Sequence, residues 1–258
     1  MVRLLQYSDV ENAYDDPERI GRLAGLIGAL RNEETIVVGT GDNTAPGVLS
    51  LVTEGRQALD FFESVKPDVE TFGNHDFDHG YEAAHEIIGR SPQTWVSANV
   101  FFQGKRFGDV SPTTIIERSG RRIGFFGVLD PATPSINPKA SDLVVEDPVG
   151  SAKRAVATLR AQNVDHIVAL SHCGAGDDLL ARELDIDVIL GGHVHSERLE
   201  HVSETLCTRP GANGTALIEV ELGEEIRGMR HHTETVRVTN RWRMPSESGW
   251  QERVSTRS

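Results

Sequence analysis

Three short segments set the terms on which this chain can fold: Gly41-Asp42-Asn43, Gly73-Asn74-His75-Asp76 and Gly191-Gly192-His193-Val194-His195. Each directly follows an apolar run of strand length, and each offers a carboxylate, amide or imidazole at its end. In an open α/β sheet, ligands bind outside the carboxyl ends of the strands, so polar groups placed there converge although they lie far apart in sequence.

The pattern between these segments repeats. Arg3 to Ser8 reads as a strand ending at Asp9, and Asp16-Pro17 opens a helix with a cap residue and a first-position proline. Thr35 to Val38 is a β-branched strand, Thr53 to Val65 an amphipathic helix, Asp68 to Phe72 a strand, and Ala83 to Ile88 part of a helix. Trp95 to Val100 is a further strand, and Thr113 to Glu117 with Arg122 to Val128 forms a hairpin turned at Ser119-Gly120. Pro131 to Pro148, rich in Pro, Ser and Asp, reads as a surface loop lying as a lid over the site. A helix over Val149 to Gln162, strands over His166 to Leu170 and Asp187 to Leu190, and alternating strands from Arg198 to about Val238 complete the chain. Two sheets packed together with helices outside are predicted, in one domain over 1–240 followed by a polar tail over 241–258.

Charge narrows the classes of partner. The 26 basic against 39 acidic residues give −13, and only four are lysine: Lys66, Lys105, Lys139 and Lys153. Acidic excess with scarce lysine predicts a surface tuned for high salt, hence a halophilic host, and stable nucleic-acid binding is not expected. No apolar run reaches membrane-spanning length and no signal peptide precedes the first strand, so a cytoplasmic protein without a membrane partner is expected. Cys173 and Cys207 make no disulfide framework, and Cys173 beside His172 reads as a small semi-buried residue.

The candidate ligands in chain order are Asp9, Glu11, Asp42, Asn74, His75, His172, His193 and His195. Hard oxygens mixed with imidazoles suit Mn²⁺, Fe²⁺, Zn²⁺ or Co²⁺ rather than Ca²⁺. Two such ions roughly 3.5–4 Å apart need a shared carboxylate to damp their repulsion. Asp42, on the loop after a central strand, is the natural bridge. Asp9 and His195 then complete one ion, and Asn74, His172 and His193 the other. His193 and His195 alternate along an extended segment and can face one cleft. The remaining histidines, His79, His85, His166, His201, His231 and His232, carry no motif.

With Tyr7-Ser8-Asp9, Gly41-Asp42-Asn43, the run Thr71 to Gly80, Ser97-Ala98-Asn99, Ala169 to His172, Gly191 to His195 and Arg209-Pro210-Gly211, the chain resembles the calcineurin-like metallophosphoesterases. It is most similar to the catalytic domain of the 5′-nucleotidase family, with motifs in the family's order to about residue 222. The resemblance implies an α/β fold of four layers, α/β/β/α, hydrolysing phosphate monoesters, nucleotides first among them, by in-line attack of a hydroxide held between two divalent ions. It makes His75 a catalytic residue rather than a ligand, with Asp76 orienting its ring, and turns Asn43 and Asn99 toward the substrate. The family usually reads Asp-x-His where this chain has Asp9-Val10-Glu11. Glu11 would be a harder, charged ligand, which favours Mn²⁺ or Mg²⁺ over Zn²⁺.

Nucleotide-specific members carry a further domain whose aromatic residues clamp the base. Without one, base recognition would come from the 131–148 loop, from another subunit of a homo-oligomer, or not at all. Trp242 and Trp250 read as packing or contacts between copies. The competing functions are a cyclic-nucleotide phosphodiesterase or nuclease, and a noncatalytic metal-binding interaction module.

Overall fold

In the central strands of this chain consecutive residues are buried on opposite faces, so neither face meets solvent, as parallel sheets covered on both sides require. The computed structural model describes residues 1–235. The first half alternates β1 (Val2–Tyr7), α1 (Pro17–Leu30), β2 (Thr35–Gly39), α2 (Val48–Thr53), α3 (Gln57–Val65), β3 (Val69–Glu70), α4 (Tyr81–Arg90) and β4 (Thr94–Trp95). There follow β5 (Val100–Phe102), β6 (Lys105–Arg106), β7 (Thr113–Arg118), β8 (Arg121–Leu129), α5 (Thr133–Ile136) and β9 (Leu143–Val145). The remainder is α6 (Pro148–Ala161), β10 (His166–His172), α7 (Asp177–Glu183), β11 (Val188–Gly191), β12 (Arg198–Val202), β13 (Thr205–Arg209), β14 (Ala216–Leu222) and β15 (Ile226–His232).

Two six-stranded sheets result, in the orders β15-β14-β1-β2-β3-β4 and β12-β13-β11-β10-β8-β7, with a small third sheet β6-β5-β9. Between the large sheets lie Leu4, Ile36, Val38 and Val69 from one, and Phe125, Val168, Leu170 and Leu190 from the other. The alternate residues Leu5, Tyr7 and Val37 point out against Ile20, Leu23, Phe61 and Phe62 of α1 and α3. On the far side Phe126, Ala169 and Ile189 meet Ala152, Leu159 and Leu180 of α6 and α7. Helix, sheet, sheet, helix: the expected four layers are present.

Local chemistry explains the boundaries. Asp16 accepts hydrogen bonds from the backbone N–H of Glu18 and Arg19, with Pro17 at the first helical position of α1. Asp147 and Pro148 repeat the device at α6. The helix expected over 53–65 begins only at Gln57, as α3, and a separate short helix, α2, precedes it; Glu54 and Gly55 between them take positive φ of 53° and 80°. The 131–148 segment is not a plain loop: it holds α5, a 3₁₀ turn and β9, which pairs with β5. Strands expected over 68–72 and 95–100 are shorter than their apolar content implied, since β3 and β4 hold two residues each. Among the described residues no helix is long and apolar enough to cross a membrane. Trp242, Trp250 and the expected tail lie outside the described residues.

Candidate metal centre

Parallel pairing aligns the ends of β1, β2 and β3 at one edge of the first sheet and those of β10 and β11 at one edge of the second, and the grouping of Asp42 with His172 and His193 shows that the two edges meet. Asp9, Asp42, Asn74, His172 and His193 therefore leave their strands at the same rim. Three glycines let the loops close on one another. A Cβ on Gly41 would lie 2.6 Å from both Gly73 N and His172 Nδ1, and one on Gly192 would lie 2.4 Å from Ser8 Oγ. A Cβ on Gly73 would run into the Asp42 carboxylate. These motif glycines are thus contact surfaces between ligand loops.

The side chains of the candidate ligands converge. Asp9, Glu11 and His195 form one compact donor group, and Asp42, His172 and His193 another; within each, the donor atoms lie within 4.8 Å of one another. Asp42 also groups with Glu11 and His75, which sets it between the two. His172 Nε2 lies 2.9 Å from Asp42 Oδ2, and His195 Nε2 lies 2.9 Å from Glu11 Oε1. The His193 N–H donates to Asp9 Oδ1 at 3.0 Å, and the His75 N–H to Asp42 Oδ1 at 2.7 Å.

Four of these residues hold left-handed backbone: Asp9 (φ 48°), Glu11 (45°), Asp42 (54°) and His193 (72°). Each costs roughly 1–2 kcal/mol in a residue with a Cβ, and such strain clusters where side chains must be aimed.

The donor set fits cations. His172 Nδ1 sits 2.7 Å from the Thr40 carbonyl, so its N–H points there, and Nε2 faces Asp42 Oδ2 at 2.9 Å, as a donor in the charged ring and as a second acceptor in the neutral one. Two acceptors facing at that distance need a positive charge between or on them. Asn74 Oδ1 and Glu11 Oε1 are buried without a hydrogen-bond partner, the latter despite its approach to His195. Burial pushes the Asp9 carboxyl up, only partly offset by His172, and pushes Glu11 up to about 7. At Asp42 burial also acts upward, but His172 and His75 together outweigh it and leave the carboxyl below its ordinary value. His172 rises to about 10 because Asp42 and Asp9 overcome its burial. Crowded carboxylates of this kind are relieved by bound cations.

Three expectations require correction. Asp76 does not orient His75. Its carboxylate accepts the N–H groups of Gly73, Asp42, Asn43 and Thr44 and the Thr44 hydroxyl, tying two ligand loops together. Asp78 takes the expected role, with Oδ2 2.9 Å from His75 Nδ1. That hydrogen bond raises the His75 ring to about 9, against burial, which lowers it. Residues three apart in a 3₁₀ turn lie one above the other, and no hydrophobic period in the sequence marks that turn.

Asn43 and Asn99 do not face a substrate either. Both are fully buried, and the Asn43 amide donates to Glu70 Oε1 at 2.9 Å. The Asn99 amide bridges the Leu129 and Glu146 carbonyls and accepts from the Leu129 N–H. Polar neighbours missed by the sequence reading are Glu70, a buried carboxylate within a strand, and Asp130, whose Oδ2 lies 3.4 Å from His193 Nε2.

The profile of the calcineurin-like phosphoesterase family matches residues 2–197. A 5′-nucleotidase of Rattus norvegicus is 28% identical over 186 residues, covering 69% of this chain and 32% of that protein. The chain thus spans about a third of that relative's length. Among solved structures, the calcineurin-like phosphoesterase YfkN of Bacillus subtilis superposes with a TM-score of 0.79 at 18% identity, covering 99% of this chain and 97% of the other. A 5′-nucleotidase precursor from Thermus thermophilus gives 0.78 at 20%, covering 99% and 58%.

Proposed function

Because the chain belongs to the calcineurin-like phosphoesterase family, we propose that it is a phosphomonoesterase dependent on two divalent metal ions and acts on 5′-nucleotides or related small phosphates. The observation that carries the reading is the position of Asp42, which shares donor groups with His172 and His193 on one side and Glu11 on the other. The nucleotidase relatives support the choice of a nucleotide as substrate. The three apolar cores, which draw on residues from Val2 to Leu222, support reading the described part of the proposed span 1–240 as one catalytic domain.

In this reading Asp9, Glu11 and His195 hold one ion, Asn74, His172 and His193 the other, and Asp42 serves both. When bound, the ions supply Lewis acidity toward the phosphoryl oxygens and a water acidic enough to act at neutral pH. Three carboxylates against one imidazole on the Glu11 side favour Mn²⁺ or Mg²⁺ over Zn²⁺. His75 acts on the leaving group: Asp78 holds Nδ1, which leaves Nε2 to deliver a proton to the departing oxygen.

The test is phosphate release from AMP, bis-p-nitrophenyl phosphate and 2′,3′-cyclic nucleotides with Mn²⁺, at low and at molar salt. Preferential turnover of AMP supports the proposal. Faster turnover of the diesters would make the protein a phosphodiesterase, and silence on all of them in both salts would leave a metal-binding module.

A further inference from the structure

Asn137 lies between α5 and the 3₁₀ turn Pro138–Ala140 and is only 6% exposed. Its Nδ2 donates to the Asn74 carbonyl at 2.7 Å and to Asp78 Oδ1 at 2.9 Å, while its Oδ1 accepts from the Lys139 N–H at 2.9 Å. Both amide hydrogens and the carbonyl are therefore used. Turning the amide over would set its oxygen against a carboxylate and its hydrogens against an N–H, so one orientation alone satisfies the site. An aspartate of the same shape has no hydrogen to give to either acceptor.

The other oxygen of Asp78 holds His75 Nδ1. Both members of that pair are partly open to solvent, with side-chain exposures of 39% for His75 and 26% for Asp78. An exposed carboxylate anchored at one oxygen alone would turn about its own bonds and take the imidazole with it. We propose that Asn137 is a positioning residue: its amide fixes the Asp78 carboxylate, and through it the His75 ring, in a single orientation. The segment from residue 131 to 148 thereby acts as a brace reaching into the site. The inference rests on the proposed role of His75 toward the leaving oxygen, but its geometric part can be read without turnover.

Two measurements on Asn137→Ala and the isosteric Asn137→Asp test it. In the purified wild-type protein the His75 Nδ1–H held by Asp78 is expected as a slowly exchanging downfield proton resonance, assigned by its absence in His75→Ala. Both Asn137 variants should lose it. With Mn²⁺, kcat on phenyl phosphate, a poor leaving group, should fall at least about tenfold, and kcat on p-nitrophenyl phosphate no more than about threefold, since proton delivery matters less to a good leaving group.

Persistence of the resonance in both variants overturns the proposal, as does an equal loss on the two esters. Loss of bound metal from both would also overturn it, by assigning the amide's effect to Asn74. If the wild-type protein hydrolyses neither ester, the phosphatase reading fails, while the resonance still decides whether Asn137 orders the pair.

Discussion

His75 Nδ1 and Asp78 Oδ2 stand 2.9 Å apart across one 3₁₀ turn, and the neighbouring carboxylate of Asp76 is turned away into the backbone of the Asp42 loop. Two acids separated by one residue thus have separate tasks, and substitutions divide them. Asp78→Asn leaves an amide that can still accept at its oxygen but no longer balances a charged ring. It is expected to lower kcat by roughly 10–100-fold with KM and metal content nearly unchanged, the scale of a disturbed general acid. Steady-state kinetics with metal analysis checks this. Wild-type kcat in that variant would remove Asp78 from the mechanism.

Asp76→Ala should instead weaken the fold. Its carboxylate receives four backbone N–H groups and a hydroxyl in a buried place. Donors stranded without water cost about 1–3 kcal/mol each and do not add fully, so a loss of about 3–5 kcal/mol is expected. Urea unfolding of the metal-free protein measures it. A change below about 1 kcal/mol would mean that the loop finds other partners.

What the sequence disclosed and what it hid differ in kind. Asp9, Asp42, Asn74, His172 and His193 were legible because each ends a strand whose apolar content announces it, and the parallel pairing then fixes the side on which they emerge. Asp76 and Asp78 could not be separated that way. The choice depends on a three-residue 3₁₀ turn that no hydrophobic period marks. Asn43 and Asn99 sat in motif positions, yet their amides serve backbone carbonyls and a buried carboxylate. Glu70 was read as part of an apolar strand. The polar composition of 131–148 as a whole concealed a short strand, although Leu143-Val144-Val145 is itself an apolar, largely β-branched run of the kind that forms one.

Glu11 invites a metal-exchange experiment. It lies within reach of both Asp9 with His195 and Asp42 with His75. Replacing a hard carboxylate by an imidazole moves a site along the series toward Zn²⁺. Glu11→His is therefore expected to raise the affinity for Zn²⁺ relative to Mn²⁺ by about tenfold or more. Glu11→Gln should weaken binding on that side alone, and Asp42→Asn should cost more because Asp42 serves both sides. Chelator competition and metal counts per chain give the ranking. An unchanged preference in Glu11→His would exclude Glu11 as a ligand.

Glu70 gives a stability signature that depends on pH. Its carboxyl is fully buried behind the Asp42 loop, accepting from the Tyr7 hydroxyl at 2.6 Å, the Asn43 amide at 2.9 Å and the Gly41 N–H at 3.5 Å. Burial outweighs these donors and raises it from an ordinary 4.5 to about 8. The folded state then holds the proton more tightly than the unfolded chain. The stability this confers is fully present below about 4.5 and is lost as pH rises through about 8. Glu70→Gln keeps an acceptor for Asn43 and Gly41 and cannot ionise, so it escapes that loss. The melting temperature of Glu70→Gln minus that of wild type, measured with a chelator present, should therefore grow from pH 5 to about 8 and then level off. A difference that stays flat across the interval would mean that the three donors keep Glu70 ionised throughout. The carboxylate would then be a permanent negative charge behind Asp42, and the same substitution would instead weaken Mn²⁺ binding at neutral pH.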